Sequence, residues 1–228
     1  MQLTRDTNRS QGLVGHLAGA LLIACAAIAL AGCGGTSAPK AASTTTPAAV
    51  VGGAGLHGMV PDPMPAKPAF TLTDTAGRPF AFAPATSGKL TYLFFGYTHC
   101  PDVCPATMSF LSAAIRQQPA ALQRKIAVVF VTVDPTRDTG PVIRRWLDHY
   151  SRSFVGVRGS DAQIAAVERQ AGIPVAPPAK KSPSATYTLA HSSFLMAYSP
   201  DGRAHVVYVS GFKETDYAHD IPLLLKYT

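Results

Sequence analysis

Two nearly unbroken apolar runs constrain this chain most. Leu90–Phe95 (LTYLFF) and Ile126–Val133 (IAVVFVTV) offer no alternate polar positions to water, the pattern of strands covered on both faces. Between them the sequence predicts a helix from about Val103 to Gln117, with Pro119 marking its end. Beyond the second run, Pro141 fits the first turn of a helix capped by Asp138 or Thr139, with Ile143, Trp146, Leu147 and Tyr150 on its apolar side. Phe154–Val157 reads as a short strand, and Ser160 with Gln163 forms a capping box for a helix through Gln170. Ser192–Tyr198 and Ala204–Ser210 read as strands joined by the turn Ser199-Pro200-Asp201-Gly202. A last helix is expected from Thr215, where Pro222 should kink it or move its start. Ahead of the first run, Pro68–Phe82 alternates about Ala76-Gly77 as a β-hairpin does. The succession implies an α/β fold: a mixed β-sheet with helices on both faces and an N-terminal β-hairpin extension. The Pro-rich stretch Ile173–Thr188 is long for a loop of a compact domain and is expected to be functional or mobile.

The N-terminal region sets the compartment. Arg5 and Arg9 precede an apolar run, Leu17–Ala31, which falls short of the roughly 20 residues a membrane span needs. It ends in Leu30-Ala31-Gly32-Cys33, small residues leading into a cysteine. Residues 1–32 therefore read as a secretory signal peptide, and their ending resembles the lipobox of bacterial lipoproteins, in which the cysteine, here Cys33, is lipidated. An uncleaved membrane anchor is the alternative. Both place the domain outside the cytoplasm, at the extracytoplasmic face of a membrane. Residues 33–67 are rich in Gly, Ala, Ser, Thr and Pro and are expected to be a flexible tether, with His57, Met59 and Met64 as incidental residues near its end. The folded domain is expected from 68 to 228. The formal net charge of +7 is scattered along an exported chain, which argues against a nucleic-acid partner.

Of the four cysteines, Cys25 leaves with the signal peptide and Cys33 is assigned to lipid, so the domain keeps Cys100 and Cys104. In an oxidising compartment a lone close pair is a disulfide, a redox couple or a metal site. A disulfide closing so short a loop contributes only about 2 kcal/mol on the loop-entropy model. The pair sits where a buried strand gives way to a helix, whose N-terminal N–H groups favour thiolate over thiol. Thiolates are soft donors suited to Cu(I) and to Zn(II).

Three stretches together resemble the Sco/SenC proteins. Phe94-Phe95-Gly96-Tyr97-Thr98-His99-Cys100-Pro101-Asp102-Val103-Cys104-Pro105 is similar to that family's signature. Asp134-Pro135 with Arg137-Asp138-Thr139 resembles its second stretch, and His191-Ser192 followed by Ser199-Pro200-Asp201-Gly202 its third. The resemblance implies a thioredoxin-like fold and a copper site, for Cu(I) and also Cu(II), with Cys100, Cys104 and His191 as ligands. It makes Asp102 and Asp134 candidates for groups around those ligands. It also implies a metallochaperone whose partner is cytochrome c oxidase subunit II or another cuproprotein. Where many members carry an acidic residue just before the ligand histidine, this chain has Ala190. That removes a carboxylate able to orient the imidazole or place charge near the metal. His99 is a poor ligand because consecutive residues near a helix start point apart; Met108 and Met196 fit core positions.

Two further readings stay open at this stage. A thiol–disulfide oxidoreductase fits the fold and the pair, although thioredoxins place two residues between their cysteines and this chain places three. A peroxidase related to peroxiredoxins would use one cysteine to attack peroxide and the other to resolve.

Overall fold

The computed structural model describes residues 48–51, 53–175, 177 and 186–228. The expected signal peptide 1–32, Cys33, the tether up to residue 47 and much of the Pro-rich loop (176 and 178–185) lie outside the described residues. One sheet carries nine strands: β1 (Ala48–Val51), β2 (Met59–Asp62), β3 (Thr71–Asp74), β4 (Pro79–Ala81), β5 (Leu90–Gly96), β6 (Ile126–Thr132), β7 (Val155–Arg158), β8 (Leu195–Tyr198) and β9 (Ala204–Tyr208). Their spatial order is β1-β2-β9-β8-β5-β6-β7-β3-β4. The helices are α1 (Phe82–Ala85), α2 (Val103–Gln117), α3 (Ala120–Gln123), α4 (Gly140–Asp148), α5 (Asp161–Gln170) and α6 (Glu214–Leu224).

The two apolar runs take the centre of the sheet. β5 and β6 pair in parallel from Leu90↔Ile126 to Gly96↔Thr132, and β8 lies antiparallel on the other side of β5. All seven residues of β5 are buried, so neither face meets water. The pleat sends Tyr92, Phe94 and Gly96 to one face and Leu93 and Phe95 to the other. The first face receives α4 through the Phe130–Trp146 ring contact (4.9 Å) and α6 through Tyr208–Tyr217 (4.6 Å). The second face meets α1 through the Phe82–Tyr198 edge contact. The mixed sheet with flanking helices is the thioredoxin-like arrangement expected, and the β3–β4 hairpin joins it at β7. Ser160 and Gln163 form the capping box of α5.

The expected boundary at Pro68 is corrected. Residues assigned to the tether form β2, which pairs with β9 through Met59↔Val207, and Leu56 is buried. The buried Asp220 carboxylate accepts the His57 and Gly58 amides at 2.8 and 3.0 Å, and a Cβ on Gly58 would come within 2.1 Å of Val206 Cγ1. A segment poor in large side chains is ordered here by backbone pairing to a sheet edge and by a buried carboxylate, neither of which composition reveals. His57 is not incidental: its ring pairs with Asp216 (2.9 Å) and stacks on His219 at 3.9 Å. β8 also starts three residues later than expected, leaving His191 in irregular chain. Among the described residues no helix is long and apolar enough to cross a membrane.

Pro222 does lie inside α6, where it has no N–H for the carbonyl of Ala218. That oxygen instead accepts the side-chain amide of Gln118, at the end of α2, at 3.2 Å. α2 and α6 are thereby cross-linked where the helix lacks its own bond. Replacing Gln118 by Ala should lower unfolding free energy by about 1 kcal/mol in denaturant titrations. Restoring the helical donor in a Pro222→Ala background should shrink that cost, and an equal cost in both backgrounds would contradict this account.

Candidate metal centre

The three expected ligands come from two places that the sheet brings together. Cys100 and Cys104 follow the C-terminal end of β5, and Cys104 lies in the first turn of α2. β8 runs antiparallel to β5 with Leu195 opposite Phe94, so the chain entering β8 passes over that same end and delivers His191. Ligands bind at the carboxyl ends of parallel strands for the same topological reason. Cys100 Sγ, Cys104 Sγ and a His191 ring nitrogen all lie within 4.8 Å of one another, with both cysteines buried and the histidine half-buried. His191 Nε2 stands 3.5 Å from Cys104 Sγ.

A buried carboxylate fastens the cysteine loop. Asp138, fully buried, accepts the Thr98 amide at 3.0 Å, the Thr98 hydroxyl at 2.6 Å and the Thr132 hydroxyl at 2.6 Å. The residue weighed in the sequence as a helix cap thus ties the loop to the end of β6, while Thr139 occupies the N-cap of α4. Gly96 supplies the space: a Cβ there would meet Cys104 Sγ at 2.8 Å. Its signal was present in the sequence as a glycine ending a run of bulky residues.

The two sulfurs differ electrostatically. The Cys100 thiol is held down to about 5, chiefly by a hydrogen bond from the Cys104 thiol, aided by the Cys104 and Asp102 backbone amides and the His191 ring. The Cys104 thiol is pushed far up by that same bond and by burial. The reduced pair therefore holds one proton at neutral pH, on Cys104. On the histidine, Nδ1 lies 3.2 Å from the Leu189 carbonyl; as donor there, it leaves the Nε2 lone pair toward the sulfurs. The Tyr97 ring packs edge-on against the imidazole at 5.1 Å. The orienting task of the carboxylate missing at Ala190 thus falls to a backbone carbonyl and an aromatic ring.

The side chains of the remaining candidates do not reach the sulfurs through any hydrogen bond among the described residues. Asp102 is the N-cap of α2, its carboxylate accepting the Val103 amide. Asp134, fully buried, accepts the Tyr187 hydroxyl and pairs with Arg137. His99 faces Thr98 and Asp138 rather than the sulfurs. Met108 and Met196 are buried in the core. Alkylation of the reduced chain by iodoacetamide should modify Cys100 with a pH inflection near 5 and leave Cys104 unmodified to above pH 9. An inflection near the ordinary thiol value of 9.0 for Cys100 would contradict the proton-sharing arrangement.

Comparison with known proteins identifies the family. The SCO1/SenC family model matches residues 60–226, a span that takes in all of β2 but Met59 and so begins ahead of Pro68. A Stutzerimonas stutzeri protein named for copper binding is 33% identical over 141 residues, 61% of this chain and 68% of its own. The mitochondrial protein SCO2 of Saccharomyces cerevisiae is 31% identical over 134 residues, 59% of this chain; the match spans 44% of the yeast protein's length. Among solved structures, copper-bound ScoI of Bradyrhizobium japonicum superposes with a TM-score of 0.59 at 30% identity, covering 70% of this chain and 99% of that one. The chain belongs to the SCO1/SenC family.

Proposed function

We propose that this protein is an extracytoplasmic copper metallochaperone that holds Cu(I) through Cys100, Cys104 and His191. It delivers the metal to cytochrome c oxidase subunit II or another cuproprotein, from a position on the outer face of the cell membrane set by lipid on Cys33. The observation that carries the reading is the convergence of two sulfurs and one imidazole nitrogen within 4.8 Å. Two thiolates and an imidazole suit Cu(I), a soft ion, in three-coordinate geometry. Such a site leaves a side open for ligand exchange with a recipient. Family membership and the copper-bound relative support the choice of metal.

The proton on Cys104 sets the loading chemistry. Metal ligation requires thiolates, so Cu(I) replaces the proton that Cys104 shares with Cys100. One bound copper should release about one proton at pH 7, because Cys100 is already ionised. Affinity should weaken as pH falls toward 5, where Cys100 also protonates.

A thiol–disulfide oxidoreductase is the second reading, favoured by the same asymmetry: an ionised Cys100 able to attack and a protonated Cys104 able to resolve. Anaerobic titration of the reduced full-length chain with Cu(I) against a competing chelator separates the two. We expect one copper per chain, with His191→Ala weakening binding more than about tenfold. Binding indifferent to His191, combined with turnover of a peptide disulfide that Cys100→Ser abolishes, would put the redox reading first.

A further inference from the structure

Residues 186 to 194 have no regular secondary structure, so neither a helix nor a strand ladder fixes the course of the segment that brings His191 to the sulfurs. Side-chain contacts do so instead: the Ser192 hydroxyl donates to the Pro174 carbonyl at 3.0 Å, and two further pins lie ahead of His191. The Tyr187 hydroxyl donates to Asp134 Oδ1 at 2.9 Å, and the accepting carboxylate is fully buried beyond the end of β6. The Arg137 guanidinium, paired with the other oxygen of Asp134, lies 3.5 Å from the centroid of the Tyr187 ring and 5.7 Å from that of Tyr97. Two residues on, the Leu189 amide donates to the Tyr97 hydroxyl at 3.3 Å, and Tyr97 packs its ring edge against His191. The line from Asp134 to the imidazole thus runs through Tyr187 and the short stretch of chain between it and His191.

We propose that Tyr187 is a positioning residue for the third ligand: its hydroxyl on Asp134 and its ring beneath Arg137 latch the loop that holds His191 over Cys100 and Cys104. The inference rests on the metal-binding reading above and adds to it the device that preorganises the histidine. Cys104 sits in the first turn of α2 and Cys100 in the short loop that Asp138 fastens, whereas the imidazole arrives on a longer irregular stretch. The ordering cost of that chain is met before copper arrives only if something pins it. Tyr187 needs both of its features for this, a hydroxyl to reach a buried carboxylate and a flat face to meet a guanidinium. The latch touches neither sulfur, so its loss should loosen the histidine and leave the cysteine pair intact.

The test uses the reduced full-length chain and begins without copper. In the wild type, NMR should show a nuclear Overhauser contact between the Tyr97 and His191 rings. In Tyr187→Ala that contact should vanish while the amide spectrum of the sheet stays unchanged. Tyr187→Phe keeps the ring under Arg137 and removes only the hydroxyl; a wild-type contact there would overturn the hydroxyl's part in the latch. Cu(I) affinity of Tyr187→Ala should fall about tenfold, the size expected for losing a group that orients a metal ligand. Combined with His191→Ala, the same substitution should cost nothing more, because the latch acts only through the histidine. An intact ring contact in Tyr187→Ala, or an equal loss of affinity with and without His191, overturns the proposal. Failure of the wild type to bind Cu(I) would instead sink the metal reading, and the ring contact would still decide the latch.

Discussion

Two sulfurs held within 4.8 Å of each other in a buried setting cannot both carry a full negative charge without a cation between them. The reduced protein resolves this by keeping one proton on the pair: Cys104 donates to Cys100, lowering one thiol and raising the other. A soft monovalent metal ion can take the place of that proton, and most of the surrounding structure serves to keep the place available. Gly96 leaves room for the Cys104 sulfur, the Cys104 amide in the first turn of α2 donates to Cys100 Sγ, and buried Asp138 binds the intervening loop to β6. The Leu189 carbonyl lies 3.2 Å from His191 Nδ1, which leaves Nε2 as the ring nitrogen facing the Cys104 sulfur.

The sheet explains why these groups meet. β5 and β6 are parallel, so their C-terminal ends present the cysteine loop, Asp134 and Asp138 on one rim. β8 returns antiparallel on the opposite flank of β5, which brings the segment just ahead of it to the same rim. The two proposed sulfur ligands therefore stand at the β5–α2 junction, and the proposed third, His191, stands on irregular chain ahead of β8. That division matches a protein that must hold a metal and then release it, since the loop can yield without disturbing the core.

Much of this was legible in the sequence, for reasons that differ by element. LTYLFF and IAVVFVTV announced β5 and β6 because a strand buried on both faces leaves no polar alternation, and Ser160 with Gln163 announced α5 because the capping box is a local bond pair. The cysteine pair was legible as a presented site, but His191 was not: a lone histidine 87 residues away carries no local signal, and only the resemblance of three ordered motifs joined it to the pair. The strand at Met59–Asp62 escaped notice because its order comes from β9 and Asp220, not from its own side chains. Tyr187 escaped for the same reason, lying in a Pro-rich stretch whose only local message was length. Pro222 gave no local sign of how α6 tolerates it, because the donor that replaces its missing N–H comes from Gln118, 100 residues before the Ala218 carbonyl it serves.

The central claim is that one copper ion sits among two sulfurs and one imidazole of a single chain. X-ray absorption of the full-length protein loaded with one equivalent of Cu(I) tests it directly, since scattering from sulfur and from an imidazole ring is distinguishable. The account predicts two sulfur neighbours and one imidazole nitrogen, with the imidazole signal absent in His191→Ala. Coordination by sulfur alone in the wild type, or copper–copper scattering from thiolate-bridged clusters between chains, would contradict it.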